Sequence, residues 1–375
     1  MRFKPDCKSR KNRQLMGLLR SIDLRKKELP DNFMIQAMKY INQGADINIQ
    51  MSGVQGYTLL MIAVMRGSVM DVRKLIDQGA NANILSRHGY TDLHLSINRR
   101  KLEIVLALIG KTSKEMINRS SPKNNQTPLM IASDDGDLYV VNRLIKHGAR
   151  VDEIDHDKRT ALFQAVKSGH ENVFDLLIES GADITRLRKG GASVMTEAAI
   201  SGCVGIAKKL FKLGFDVNQL DNYGRTPIFY AAGQDHLEML QFLIRSGSNV
   251  NAQNRGDRIP LINSQINCIR ALIEAGADIN AQGVEGVTAL IKAVKHGDIE
   301  KVRLLIELKA DPFIKDEFGS NALNLTKYIT TDKPKDLIID LLTCYMKRIE
   351  EKNINDYRSG IMDLIGKETS LNPEN

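Results

Sequence analysis

The chain has 375 residues, of which 42% are hydrophobic and 5% aromatic, with no Trp, and its formal net charge is +8. This apolar content is sufficient for a buried core, which must consist of Leu, Ile, Val, Met and Ala side chains. No stretch approaches the roughly eighteen uninterrupted apolar residues of a membrane-spanning helix, so no membrane span is expected.

The positive charge is concentrated at the start of the chain. Residues 1–27 contain ten Lys or Arg and two Asp, which accounts for the net charge of +8, and the other 348 residues sum to zero. Nucleic acid or anionic lipid is therefore expected as a partner only through residues 1–27. The segment Lys8–Arg13 is compatible with a nuclear import signal, with contact to an anionic surface, or with a solvated capping segment.

The N-terminal residues and the cysteines indicate an intracellular protein. The first eight residues carry charges where a signal peptide would need an apolar run. The cysteines Cys7, Cys203, Cys268 and Cys344 lie far apart, without a Cys-x-x-Cys pair, which predicts neither a disulfide framework nor a zinc site. We expect reduced thiols and a cytoplasmic location.

After an irregular capping repeat expected at 15–50, one phrase recurs along the chain. Gly224-Arg-Thr-Pro-Ile-Phe-Tyr-Ala231 is a complete copy. Its Thr-like position falls at residues 58, 91, 127, 160, 193, 226, 259, 288 and 321, and six of the eight gaps between them are 33 residues. A second phrase, of the form Gly-Ala-Asp-Ile-Asn, runs in phase with the first and occupies 44–48, 79–83, 148–152, 181–185, 214–218, 247–251 and 276–280.

The residue types in these phrases predict two helices in each repeat. Thr, as at Thr127 or Thr226, is a helix N-cap whose oxygen accepts hydrogen bonds from the first turn, and Pro128 and Pro227 then occupy the first helical position. A glycine in the left-handed conformation is expected to end this helix, at Gly67, Gly136, Gly169, Gly202 and Gly297. Paired apolar residues such as Leu144-Ile145 predict the second helix, and a β-hairpin then leads to the next repeat. One such unit cannot bury its own apolar face, so stacking must stabilise it.

Three segments depart from the repeat. Between the Thr-like positions at 259 and 288 the gap is 29 residues, which predicts a repeat that lacks about one helical turn between Leu261 and Leu272. Three extra residues before Thr127 predict a longer loop around 110–124. The sequence pattern predicts a last amphipathic helix at residues 336–349. Residues 350–375 are predicted to be a polar tail.

The two phased phrases resemble those of the ankyrin repeat family over roughly residues 32–346. The resemblance implies an all-α solenoid of about nine to ten helix-turn-helix repeats with short β-hairpin loops, flanked by a basic arm or cap at 1–30 and the tail at 350–375. It also implies a non-enzymatic scaffold or adaptor whose partner is another protein. No catalytic or cofactor motif accompanies the repeats, so no enzyme activity, metal or cofactor is predicted, and the histidines are interpreted as structural.

In this family the partner usually lies in a concave groove of hairpin tips and first-helix ends. Those positions are four, three and one before the Thr-like residue and seven and eight after it. Carried over, they predict partner-binding residues at Tyr57, Met65, Arg66, Arg87, His88, Tyr90, Asn98, Arg99, Lys123, Asn124, Asp134, Asp135, His156, Arg159, Lys167, Tyr223, Arg225, Arg258, Lys295, His296 and Phe318. Tyr57, Arg66, Tyr90 and Arg99 are expected to form one contiguous patch, because equivalent positions in adjacent repeats lie side by side. Tyr and Arg are also frequent interface anchors.

An alternative class stays open. The protein could be an effector or regulator that acts in a host cell or its nucleus, where the basic arm or an F-box-like segment at Leu29–Ile41 recruits other machinery. Abundant Ile, Lys and Asn and divergent repeats are compatible with the ankyrin effectors of intracellular bacteria. Phe33–Ile41 fits the second helix of a first repeat better, because it runs straight into the phrase at 44–48. Arg255–Asp257 spells an adhesion tripeptide, which by itself is uninformative.

Overall fold

The computed structural model describes residues 7–21, 32–51, 55–256, 258–330 and 332–369, with side chains described at 10–330 and 334–352 within these ranges. The regular elements of this part of the chain are helices, with no strand among them. The helices are α1 (Cys7–Arg20), α2 (Phe33–Asn42), α3 (Leu59–Arg66), α4 (Val69–Asp77), α5 (Asp92–Ile97), α6 (Leu102–Ile109), α7 (Lys114–Ile117), α8 (Pro128–Asp135), α9 (Leu138–Lys146), α10 (Ala161–Lys167), α11 (Glu171–Glu179), α12 (Val194–Ser201), α13 (Val204–Lys212), α14 (Pro227–Gly233), α15 (Leu237–Arg245), α16 (Pro260–Asn263), α17 (Ile266–Glu274), α18 (Ala289–Lys295), α19 (Ile299–Glu307) and α20 (Asp332–Thr369).

The chain divides into two compact units, Met1–Ile206 and Ala207–Asn375, with the boundary inside α13. In the first unit the helices α3, α5, α8, α10 and α12 pack side by side as one layer, and α4, α6, α9 and α11 pack as a second layer behind them. The second unit has the same two layers, formed by α14, α16 and α18 and by α15, α17 and α19. This arrangement confirms the all-α solenoid.

Most of the predicted helix caps are present. Thr58, Thr127 and Thr288 accept hydrogen bonds from the backbone N–H three residues later, at 3.1, 3.3 and 3.2 Å. The prediction was wrong for Thr226, which is the N-cap of α14 but makes no side-chain cap bond. The N–H of Phe229 donates instead to the Thr226 carbonyl at 3.1 Å, so this first turn is of the tighter 3₁₀ type.

Left-handed residues end the first helices as predicted. The glycines at 67, 136, 169, 202 and 297 have φ between 67° and 78°. Arg100 and Asp235 occupy the same position in their repeats with φ of 54° and 62°. Because a side chain is strained in this conformation, these two repeats are less well suited to the turn than their neighbours.

A ladder of side-chain hydrogen bonds explains why the second phrase ends in Asn. Asn48 accepts from the backbone N–H of Asn81 at 2.8 Å, and Asn280 accepts from that of Asp311 at 2.8 Å. Each acceptor is the last residue of one phrase and each donor is the third residue of the next. The ladder links each repeat to the next at a regular spacing.

The inserted residues before Thr127 are ordered rather than a simple loop. They contain the short helix α7. The N–H of Ser113 donates to Asn83 at 2.7 Å, and Asn118 accepts from the N–H of Arg150 at 2.7 Å. The ladder therefore passes through α7, which takes the place of a phrase that the sequence lacks here.

The shortened repeat is confirmed. Helix α16 has 4 residues where α14 has 7, and its N-cap position is Ile259, which has no hydroxyl. The helix ends at Ser264 in extended backbone, with φ −67° and ψ 150°. The N–H of Gln265 then donates to the Ala232 carbonyl at 2.9 Å, so the chain passes directly from α16 to α17 along the preceding repeat.

The ends of the chain are helical in their described parts. Leu15 and Leu19 of α1 are fully buried, as are Phe33 and Ala37 of α2, and the two helices pack together. Residues 7–20 of the basic segment therefore form the first helix of a cap. At the other end, the helix predicted at 336–349 lies within α20, which continues into the predicted tail. Within the described ranges no helix combines the length and apolar composition needed to cross a membrane.

Candidate functional site

The predicted surface consists of hairpin tips and the exposed ends of the first helices. All 13 residues singled out for it are exposed or half-buried in the structure. Eight belong to the first unit, and the five others belong to the second. The eight are Tyr57, Arg66, His88, Tyr90, Arg99, Asp134, Asp135 and Arg159. The five are Tyr223, Arg225, Arg258, His296 and Phe318.

A side-chain clamp shapes four of the tips. Asp221, five residues before Thr226, accepts backbone hydrogen bonds from Tyr223 at 2.8 Å and from Arg225 at 2.9 Å. The same pair of bonds is made by Asp155, Asn254 and Asp316. Because one oxygen holds two backbone N–H groups, the tip is fixed and its outward side chains are positioned before any partner arrives.

A second link ties the tip to the first helix, and the sequence analysis missed it. The hydroxyl of Tyr230 donates to the other oxygen of Asp221 at 2.5 Å. In the preceding repeat the tip carries the donor and the first helix carries the acceptor. There Arg188 donates to the buried Glu197 at 2.7 Å. These pairs lie five before and four after the Thr-like position. Asp or Asn recurs five residues before the Thr-like position, and this recurrence could have predicted the link.

We call three predicted residues of two adjacent repeats, Tyr57, Tyr90 and Arg99, the tyrosine patch; Tyr57 and Tyr90 are half-buried and Arg99 is exposed. Burial and then the adjacent Tyr90 raise the pKa of Tyr57, while the charge of Arg99 acts in the opposite direction. Tyr57 and Tyr90 occupy equivalent positions of adjacent repeats, one residue before the Thr-like position. Arg66, expected in the same patch, ends α3 and is half-buried.

The tyrosine patch has a rigid support beneath it. The ring of Tyr90 stands edge-to-face on His94, with centroids 6.2 Å apart and an interplanar angle of 82°. His94 is fully buried, and its Nδ1 lies 2.8 Å from the hydroxyl of Thr91. Burial lowers the pKa of His94 to about 4, so the ring is neutral at physiological pH.

The two predicted acidic residues are engaged with the adjoining repeats. Asp134 accepts from Ser168 at 2.7 Å and pairs with Lys167 at 3.3 Å, and Asp135 pairs with Arg100 at 2.8 Å. Exposed pairs of this kind contribute about 0–1 kcal/mol each. They orient the surface more than they stabilise it.

A second anchor occurs in the second unit. The guanidinium of Arg225 lies 4.6 Å from the ring centre of Tyr223 and 4.7 Å from that of Tyr230. It also pairs with the buried carboxylate of Asp221 at 3.0 Å. Tyr223 remains 58% exposed, so a stacked and immobilised Tyr–Arg pair faces outward.

The remaining predicted residues have simpler surroundings. His88, Arg258 and His296 are exposed, and Phe318 exposes 74% of its surface. Arg159 is half-buried and pairs with Asp157 at 3.4 Å.

The alternative motifs receive limited support. Phe33, Ala37 and Met38, the apolar face of the F-box-like helix, are buried, which favours the interpretation as a helix of the cap. Asp257 of the adhesion tripeptide lies outside the described residues, as do residues 1–6 and 22–31 around the basic helix. Among the described residues, no three His, Cys, Asp or Glu side chains converge as metal ligands would.

Capped helix pairs at a regular spacing, a hydrogen-bonded ladder and clamped tips define a class of stacked helical repeat proteins. Family models for ankyrin repeats match residues 31–119, 110–188, 195–244 and 272–325. The chain belongs to the ankyrin repeat family. The last gap between the matched ranges, 245–271, contains the shortened helix α16.

Individual relatives match short segments. The chain is 37% identical over 79 residues to the poly(ADP-ribose) polymerase tankyrase of Caenorhabditis elegans, which is 21% of this chain and 4% of that protein. It is 32% identical over 114 residues to the ankyrin repeat protein FPV031 of fowlpox virus, covering 30% and 33%. It is 28% identical over 131 residues to the phosphocholine transferase AnkX of Legionella pneumophila, covering 34% and 14%. The chain thus spans no more than a third of each of these relatives.

Among solved structures, the ankyrin repeat domain of human ASB11 matches with a TM-score of 0.52 and 24% identity. The match covers 57% of this chain and 97% of that domain. It supports the fold.

Proposed function

We propose that the protein acts as a non-enzymatic binding module whose partner is another protein, and that the partner contacts the tyrosine patch of the first unit. Ankyrin repeats indicate a protein-protein interaction domain. The observation that carries the finer proposal is that the half-buried Tyr90 is supported by the buried His94 ring, at the position equivalent to Tyr57 of the preceding repeat. Packing does not require tyrosine or arginine at these partly exposed positions.

The chemistry of the patch suits an interface anchor. Tyr and Arg are enriched among the residues that dominate binding energies, because each offers a large contact area together with hydrogen-bonding groups. Tyr90 rests on the buried His94 ring, so little side-chain freedom is lost when a partner covers it. The stacked Tyr223 and Arg225 supply a comparable anchor in the second unit.

A site-specific photo-crosslinker tests this proposal. Benzoylphenylalanine replaces Tyr90 in one variant and Tyr139 in the other, a tyrosine of α9 that is 56% exposed and lies away from the hairpin tips. After expression in the native cell, irradiation is expected to trap one defined protein at position 90 and not at position 139. Equal trapping at both positions, or trapping at position 139 alone, would contradict the proposal.

A further inference from the structure

The inserted segment before Thr127 borders an open cavity of about 910 Å³ in the first unit. Its walls are the hairpin around Gly89, the helix α7 with the residues after it, and the turn 148–150. Five basic side chains line it and one acidic side chain, Glu115, does so. The basic residues are Arg87, His88, Lys114, Arg119 and Arg150. Only Arg87 and His88 were expected at a binding surface.

The walls of this cavity are held by direct contacts. The amide of Asn118 donates to the carbonyl of Lys114 at 2.8 Å and to that of Gly148 at 2.9 Å. Its oxygen accepts from the N–H of Arg150 at 2.7 Å. On the opposite side, Gly89 packs so closely against Pro122 that an added Cβ would lie 3.1 Å from the ring. The cations therefore extend from a fixed frame.

The positive charge in the cavity is largely uncompensated. Arg150 pairs with the exposed Glu153 at 2.9 Å. In the described part of the chain no carboxylate forms an ion pair with Arg87, Lys114 or Arg119. These exposed cations give the cavity a positive potential that attracts anions. Polar groups fill the rest of the lining, with Pro122 as its main apolar surface.

We infer that this cavity binds a small ligand with several phosphate groups, of the chemistry of a phosphorylated inositol ring. Its volume lies within the roughly 300–1,000 Å³ of small-molecule sites. Arginine and lysine favour phosphate, and arginine binds it through two parallel hydrogen bonds. A nucleic acid would need an extended basic surface, whereas the chain beyond residue 27 has no net charge. The site is separate from the tyrosine patch, none of whose residues lines the cavity.

Titration calorimetry with inositol hexakisphosphate on the full chain tests this inference. Lys114→Gln with Arg119→Gln is expected to weaken binding about tenfold or more, since each lost cation removes charge-assisted hydrogen bonds. The matched control, Lys158→Gln with Lys189→Gln, removes the same charge from exposed residues of the same unit outside the cavity and is expected to leave affinity unchanged. Thermal unfolding of both variants verifies that they are folded.

A further arm identifies the source of the phosphates. Sedimentation with phosphatidylcholine vesicles that contain phosphatidylinositol bisphosphate distinguishes a lipid headgroup from a free ring, and binding in either arm supports the inference. Equal weakening in the control variant would overturn it, because the charge alone would then explain binding. Absence of binding to both inositol hexakisphosphate and the vesicles would also overturn it.

Discussion

Two successive repeats of the second unit differ by one turn of helix. In the regular repeat, α14 has 7 residues, and Asp221 joins the tip to Tyr230 at 2.5 Å. In the shortened repeat, α16 has 4 residues, and Asn263 at the place equivalent to Tyr230 accepts from Lys292 of the following repeat. A cavity of about 240 Å³ lies beside α16 and α17.

What survives this loss is informative. The clamp at Asn254 still holds its tip, with bonds of 2.9 and 3.1 Å. The ladder still passes from Asn251 to the N–H of Asp278 at 3.0 Å. Second-helix packing and the ladder therefore hold this repeat in the stack. The C-terminal turn of the first helix is not needed for either. The cost is expected in local stability, since coupling in a linear array is between neighbours.

The largest expected difference between the two repeats concerns their second helices. Leu243 and Leu272 occupy equivalent places in α15 and α17, and both are fully buried. We expect Leu243→Ala to lower the free energy of unfolding by about 4 kcal/mol and Leu272→Ala by about 2.5 kcal/mol, because the four-residue α16 packs less extensively against α17 than α14 packs against α15. Urea denaturation followed by circular dichroism measures both. An equal or larger loss at Leu272 would mean that α16 covers α17 fully despite its length.

Hydrogen exchange compares the local stability of the two repeats without a substitution. The amides of residues 259–270 are expected to exchange about tenfold faster, or more, than those of 226–246, because fewer buried contacts hold the shortened repeat closed. Mass spectrometry of peptides from the two segments gives the ratio. Equal or greater protection at 259–270 would remove the shortened repeat as the weak joint of the array.

The smallest expected difference between the two repeats lies in their clamps, because Asp221 carries a carboxyl group that titrates and Asn254 does not. Burial would raise the pKa of Asp221, but hydrogen bonds from Tyr230 and the tip backbone, together with the charge of Arg225, lower it overall. Its contribution to stability is thus present above the ordinary carboxyl pKa of about 3.9 and is lost as the pH falls through the lowered value.

Asp221→Asn copies the Asn254 clamp and tests this contribution. We expect the variant to be about 1 kcal/mol less stable at pH 7, and the difference to shrink as the pH drops below about 4. Thermal unfolding at a series of pH values reveals the trend. The matching Asn254→Ala change has no titrating partner and is expected to cost the same at every pH. A deficit for Asp221→Asn that is independent of pH would contradict the role given to the carboxylate.

The fold could be predicted because its determinants are local and repeated. A cap such as Thr127 and a left-handed Gly136 act within a few residues, so their spacing alone defines the helices. Thr226 shows the limit of this reasoning. The N–H of Phe229 donates to the backbone carbonyl of Thr226 and not to its hydroxyl. The residue type does not determine which of these two oxygens accepts.

The binding surface was less predictable because it depends on neighbours in space. The family positions correctly selected exposed or half-buried side chains, including Tyr57 and Tyr90. They did not reveal that Tyr230 and Glu197, on the first helices, hold the tips in place. The basic cavity was hidden for the same reason, since Lys114, Arg119 and Arg150 come from an insertion and a turn that no repeat position describes.

We propose that recognition resides in the tyrosine patch, and a binding experiment with the crosslinked partner tests this proposal. Tyr57→Ala combined with Tyr90→Ala is expected to weaken binding to the crosslinked partner by about 2 kcal/mol or more, roughly 30-fold, with little change in thermal unfolding. Arg10→Gln with Lys11→Gln is the control, because truncation of α1 would expose the core around Leu15 and Leu19. Binding that survives the tyrosine changes but is lost in the Arg10 and Lys11 variant would contradict the claim and assign recognition to the basic helix.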